Sequence, residues 1–215
     1  MIFLQQPGTI DMRNTMYPSQ ADLVQDQVFI QPPWSTCYGI VASKRSTLPN
    51  GKQAQPGEYF CVTNRSNEPQ RINVLGSTAI FTRLGFLGQD LVGGPIESTG
   101  RLTYIDGCSD TLLVYPPRAG DPSLSLLHFP AGIDQSFHSH PSIRFGLVIA
   151  GSGLSSLPTA ENTLDAGTVF CLEEHEIHRF RTLNTSMTIV TYHPDGDWGP
   201  TDHNHTMLNR TYVHK

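Results

Sequence analysis

Turn residues interrupt this chain along its whole length, and the interruption decides what it can fold into. Nineteen glycines and sixteen prolines are spread over 215 residues, and the runs between them are short and rich in β-branched and aromatic side chains. Residues 28–31, 37–42, 58–63, 70–74 and 79–84 read as strands in the first half. Residues 102–105, 112–115, 123–129, 145–149, 168–172, 177–182 and 187–192 do so in the second. None of this spacing suits a helix. An all-β protein is expected. Residues 4–27 are polar and irregular and read as an extended arm. Glycines crowd residues 85–100 and mark a boundary between an N-terminal region, 1–100, and a C-terminal one, 101–215.

Composition removes several classes of function. The formal charge of −5, with fourteen dispersed basic residues, leaves no electrostatic footprint for nucleic acid. No apolar stretch approaches the length of a membrane span, and the first residues carry neither the basic start nor the cleavage site of an export signal. Cys37, Cys61, Cys108 and Cys171 form no C-x-x-C pair, which suits reduced, buried thiols in a cytoplasmic protein. No phosphate loop, dinucleotide fingerprint or nucleophile elbow is present.

All nine histidines lie beyond residue 100. His138-Ser-His140 places two imidazoles on one face of an extended chain, where both can reach a single ion. The pair is weak evidence alone, because an H-x-H arises by chance. Its surroundings are more specific. Residues 132–151, G-IDQSF-H-S-H-PSIRFGLVIA-G, and residues 167–178, G-TVFCL-E-E-H-EI-H, are separated by SGLSSLPTAENTLDA, the length of one hairpin.

This arrangement resembles the two motifs of the cupin superfamily. The resemblance covers about half the chain and implies a double-stranded β-helix, or jelly-roll barrel, in the C-terminal half, with His138, His140 and His178 as metal ligands. The N-terminal half would then be a β-layer or a degenerate second cupin. A small antiparallel barrel lets histidines from separate hairpins converge inside, shielded from water. Three protein ligands leave coordination positions open, as in a reactive metal site.

The chain also departs from the family pattern. Arg144 stands where the motif carries a glutamate ligand, and by strand parity it shares the inward face of His138 and His140. A guanidinium beside a divalent cation needs an anion between them, so Arg144 implies an anionic ligand. Pairing with Glu173, or a bulge that turns Arg144 outward, is the alternative. Glu173 or Glu174 could instead supply the missing carboxylate or act as a general base, and His175 stands close by.

The resemblance extends to three-histidine cupin dioxygenases. It implies one divalent transition metal per chain, Fe(II) first and Zn, Mn or Ni as alternatives, acting on a small carboxylate-bearing substrate, in a cytoplasmic homodimer. The other reading is a non-catalytic binding or sensing cupin whose metal holds a ligand or stiffens the barrel. Arg179 and Arg181 read as the solvated face of a strand, and the tail from His193 to His205, with a second H-x-H, three aspartates and Trp198 as its anchor, as a Gly- and Pro-rich loop that serves as a lid or subunit contact or is an ordinary polar tail.

Overall fold

The structure, a computed structural model, describes residues 1–196 together with the backbone of residues 212 and 213. The short runs between turns form strands, and no α-helix occurs among the described residues. The chain divides into two units. One is Leu4–Glu97, and the other is Met1–Phe3 with the chain from Ser98 onward.

In chain order the strands are β1 (Ile2–Leu4), β2 (Gly8–Met12), β3 (Ser19–Gln25), β4 (Val28–Gln31), β5 (Ser35–Val41), β6 (Arg45–Thr47), β7 (Gln53–Ala54), β8 (Tyr59–Asn64), β9 (Gln70–Leu75), β10 (Ser77–Leu84) and β11 (Leu91–Gly93). They continue as β12 (Leu102–Thr103), β13 (Ser109–Val114), β14 (Ser123–Phe129), β15 (His138–Ser139), β16 (Arg144–Leu157), β17 (Ala160–Asp165), β18 (Val169–Leu172), β19 (Arg179–Arg181), β20 (Met187–His193) and β21 (Tyr212–Val213). Residues 4–27 are not an arm. β2 and β3 lie antiparallel within the main N-terminal sheet. Their polar residues had masked the pattern. Asp22 is buried, and its carboxylate accepts hydrogen bonds from Thr9 Oγ1 at 2.6 Å and Gln20 Nε2 at 2.8 Å, which makes a charged residue tolerable inside a strand.

The N-terminal unit has sheets ordered β11-β8-β5-β10-β3-β2 and β4-β9-β6-β7. Its core gathers Val24, Phe29, Phe60, Ile72 and Ile80. In the C-terminal unit the path is β1-β18-β16-β20-β14-β13-β12, with β17 and β19 also paired to β16. β16 serves two sets of partners because it turns at Gly151. There φ is +72° and an added Cβ would lie 1.9 Å from the Ser186 carbonyl oxygen, so only glycine fits. Before the turn β16 pairs with β18 and β20, and after it with β17 and β19. The sheets do not close into a continuous barrel. Leu127, Phe129, Val148, Phe170, Phe180 and Ile189 fill the core between them.

The two units repeat one plan. A central strand, β5 or β16, is flanked by β8 and β10 in one unit and by β18 and β20 in the other, and the next strands outward are β3 then β2, or β14 then β13. The registers agree as well. Gly39 faces Phe60 as Gly146 faces Phe170, and an added Cβ would stand 2.0 and 2.1 Å from the respective ring tips. Tyr38 lies opposite Phe81 and Phe145 opposite Tyr192.

Candidate metal centre

β15, the residue that follows it and the residue before β19 bring the three histidines together. His138 and His178 form an antiparallel bridge, each backbone N–H donating to the other's carbonyl at 2.9 Å. The turn after β18 adds a further tie, from the His175 N–H to the His140 carbonyl at 2.7 Å. Each histidine segment is thus held by backbone bonds, independent of any ion.

His138, His140 and His178 are all buried, and a ring nitrogen of each lies within 4.8 Å of the others'. The ring centroids are 4.3 to 5.3 Å apart. Among the described residues no second such group of three occurs. Nδ1 of His138 lies 2.9 Å from the Ser136 carbonyl, and Nδ1 of His178 lies 2.8 Å from that of Glu176. A carbonyl only accepts, so each Nδ1 carries the proton and Nε2 keeps its lone pair. This is the outer support that fixes a ligating imidazole in one tautomer. Burial first, then the neighbouring His138, pushes the pKa of His178 well below the ordinary range, so it stays neutral. Its Nε2 is buried and has no hydrogen-bond partner among the described residues. A lone pair so placed suits a metal ion, and the donor set fits a borderline transition metal.

A cavity of about 20 Å³ adjoins the histidines. Its lining includes His138, His140, Arg144, Thr191, His193 and Gln135. Arg144 therefore faces inward, on the side that strand parity assigns. Its partner is Asp195 rather than Glu173. Arg144 Nη1 lies 3.2 Å from Asp195 Oδ1, and both side chains are only 2% exposed. Ser142 Oγ hydrogen-bonds to the same two atoms, and Nη1 also donates to the carbonyls of Ser142 at 3.1 Å and Ile143 at 2.9 Å. Glu173, Glu174 and His175 are exposed in the turn after β18 and stand outside the cavity lining. Glu176, which the sequence did not single out, accepts the Glu173 N–H at 3.0 Å and shapes that turn.

Asp195, Thr191 and His193 were missed as site residues. The signal for the last two was their inward parity at the end of β20, where Thr191 Oγ1 lies 3.0 Å from His193 Nε2. Asp195 follows the strand and carries no local signal. Cys108 touches Gln135 from the core side, and burial pushes its thiol up to about 12, so it stays protonated. Arg179 and Arg181 are half-buried around the buried Phe180 and pair with Asp134 at 2.9 and 3.3 Å. The tail residues Trp198, His203 and His205 lie outside the described residues.

No family model matches the sequence, and no curated protein does. Solved structures match well. A cupin 2 conserved barrel domain protein from Leptotrichia buccalis superposes with a TM-score of 0.59 at 13% identity, covering 87% of this chain and 88% of that one. The fold is that of the cupins. Salicylate 1,2-dioxygenase from Pseudoaminobacter salicylatoxidans, solved as adducts with gentisate, gives a TM-score of 0.54 at 8% identity, covering 86% of this chain and 72% of that one. Bacillus subtilis oxalate decarboxylase, with Mn(II) centres, gives 0.53 at 10% identity, covering 89% and 73%. At these identities the likeness carries the fold of this chain and not its chemistry.

Proposed function

We propose that this cupin is a metal-dependent enzyme whose C-terminal unit holds one divalent transition metal on His138, His140 and His178 and acts on a small anionic substrate. The carrying observation is the buried Nε2 of His178, without a hydrogen-bond partner among the described residues, beside His138 and His140, with Nδ1 of His138 and of His178 each anchored on a backbone carbonyl. Iron(II) is the favoured metal, with manganese, zinc or nickel compatible with the same donors. The fold neighbours named for a dioxygenase and for a manganese decarboxylase support chemistry on carboxylates. When bound, the metal would polarise a coordinated oxygen and, as iron, open redox chemistry with O2.

The residues around it divide the remaining work. Three neutral imidazoles leave the charge of a divalent ion uncompensated, and the Arg144–Asp195 pair is neutral as a whole. A buried site of that net charge favours an anion on the open coordination positions. The core side chains Leu127, Phe129, Leu172 and Phe180 line the cavity's apolar wall and keep water away. Four free, buried cysteines support a reducing, cytoplasmic setting.

A second reading rests on size. About 20 Å³ admits roughly one water, which favours a metal that holds a small ligand or stiffens the barrel without turnover. O2 uptake by the iron-loaded protein with aromatic carboxylates, oxalate and diketones separates the two. Metal-dependent uptake with any of them supports the enzyme. Tight metal binding with neither O2 uptake nor loss of any of these substrates supports the binding module.

A further inference from the structure

Arg144 brings a permanent positive charge to the wall of a cavity that also presents His138 and His140. The guanidinium and two of the three imidazoles thus share one buried wall, where a charge is screened little by water. Unbalanced, such a charge would repel a cation and attract anions without discrimination. The structure balances it. Asp195, 2% exposed, meets Nη1 of Arg144 at 3.2 Å, and Ser142 Oγ bridges the two side chains. The backbone around Asp195 is fixed from outside the site. Gly196 N–H donates to the Asp121 carbonyl at 2.7 Å, and the Asp121 carboxylate, nearly buried, receives Arg118 Nε at 2.9 Å. The carboxylate thus reaches the metal cavity through a positioned arginine, where the cupin motif would have placed a glutamate directly on the metal.

We propose that Asp195 is a positioning and charge-setting residue: by neutralising Arg144 it keeps the three-histidine site able to hold a cation, and it sets how strongly that site takes an anion. The inference rests on the metal reading above, but it concerns a residue that reading does not use. It makes two opposite-signed predictions. Removing the Asp195 charge adds one net positive charge beside the site. Cation binding then weakens and anion binding tightens. Removing the Arg144 charge does the reverse.

The test uses the full chain loaded with Co(II), whose visible spectrum reports both coordination and anion entry. Co(II) affinity is measured by chelator competition and anion affinity by azide titration. Asp195→Asn should weaken Co(II) and tighten azide, each by about tenfold, and Arg144→Gln should tighten Co(II) and weaken azide by a similar factor. The double variant should return both affinities to within about threefold of the parent, because the two charge changes cancel. Arg144→Lys keeps the charge and should also stay within about threefold, which matters if Asp195→Asn fails to fold. Single variants that move both affinities in the same direction, or leave both unchanged, would overturn the proposal while the metal site stands. No Co(II) bound at the histidines in the parent protein would remove the metal reading and this inference with it.

Discussion

The two units share a strand plan and differ in what they place at one end of it. The same number of residues separates Gln31 from Gly39 and His138 from Gly146, so Gln31, Pro33, Ser35 and Cys37 stand where the C-terminal unit has His138, His140, Ser142 and Arg144. The cross-strand partners agree, with Gln31 opposite Gln70 and His138 opposite His178. Gln31 is fully buried and spends its amide on the framework, donating to the carbonyls of Ser35 at 3.2 Å and Val62 at 3.0 Å. Cys37 contacts Thr82 at 3.4 Å, where Arg144 meets Asp195 in the other unit. The plan therefore folds without a metal. Its open end is a position where either hydrogen bonds or ligands serve.

The largest effect should separate the units outright. His138→Ala with His140→Ala should lower bound transition metal from about one ion per chain to none, because one remaining imidazole cannot hold it. Gln31→Ala, at the matching place, should leave metal content unchanged. Elemental analysis of the two purified variants reads the contrast. Loss of metal from the glutamine variant would break the division of labour.

The shared plan predicts a matched pair. Gly39→Ala and Gly146→Ala each push a methyl group into a phenylalanine ring, and each should destabilise its own unit by about 1–3 kcal/mol. Hydrogen exchange resolved along the chain would show the loss in the unit that carries the change. A harmless substitution at one of the two positions would weaken the correspondence. Gln31→Ala belongs here too, since it removes the amide donor from the carbonyls of Ser35 and Val62, at a cost of about 1–3 kcal/mol.

The smallest predicted difference lies in pH dependence. Asp22 and Asp110 are buried carboxyls, one in each unit, and burial is the main cause that raises the pKa of both. Hydrogen bonds from Thr9 and Gln20 counter the rise at Asp22, whereas only the Thr111 backbone does so at Asp110, which is held well above the ordinary range. A carboxyl with a raised folded pKa binds its proton more tightly when folded. Its contribution is complete below the unfolded pKa and is lost as pH rises through the folded one. Asp110→Asn should therefore flatten the decline of melting temperature with rising pH more than Asp22→Asn does. Equal slopes in the two variants would contradict that ordering.

Much of this was legible in the sequence, for identifiable reasons. Runs 28–31 and 123–129 match β4 and β14, because turn residues bound them sharply. The histidines were legible because three imidazoles at motif spacing are a chemical statement that packing does not blur. β2 and β3 were hidden because Asp22 and Gln20 read as surface until their mutual bond is seen. β17 was hidden for the opposite reason, since Ala160–Asp165 is mostly exposed and lacks an apolar alternation. Asp195 was out of reach. Pairing with Arg144 joins residues far apart in the chain, and nothing local distinguishes it from the other aspartates near the end.

The central claim is that the C-terminal unit binds the metal and its N-terminal counterpart does not. Crystals of the metal-loaded chain, measured at the absorption edge of the bound ion, test it most directly. One anomalous peak per chain is expected, about 2.0–2.2 Å from a ring nitrogen of His138, His140 and His178. A peak between Gln31 and Gln70, or a fully loaded protein with no peak at the three histidines, would contradict it.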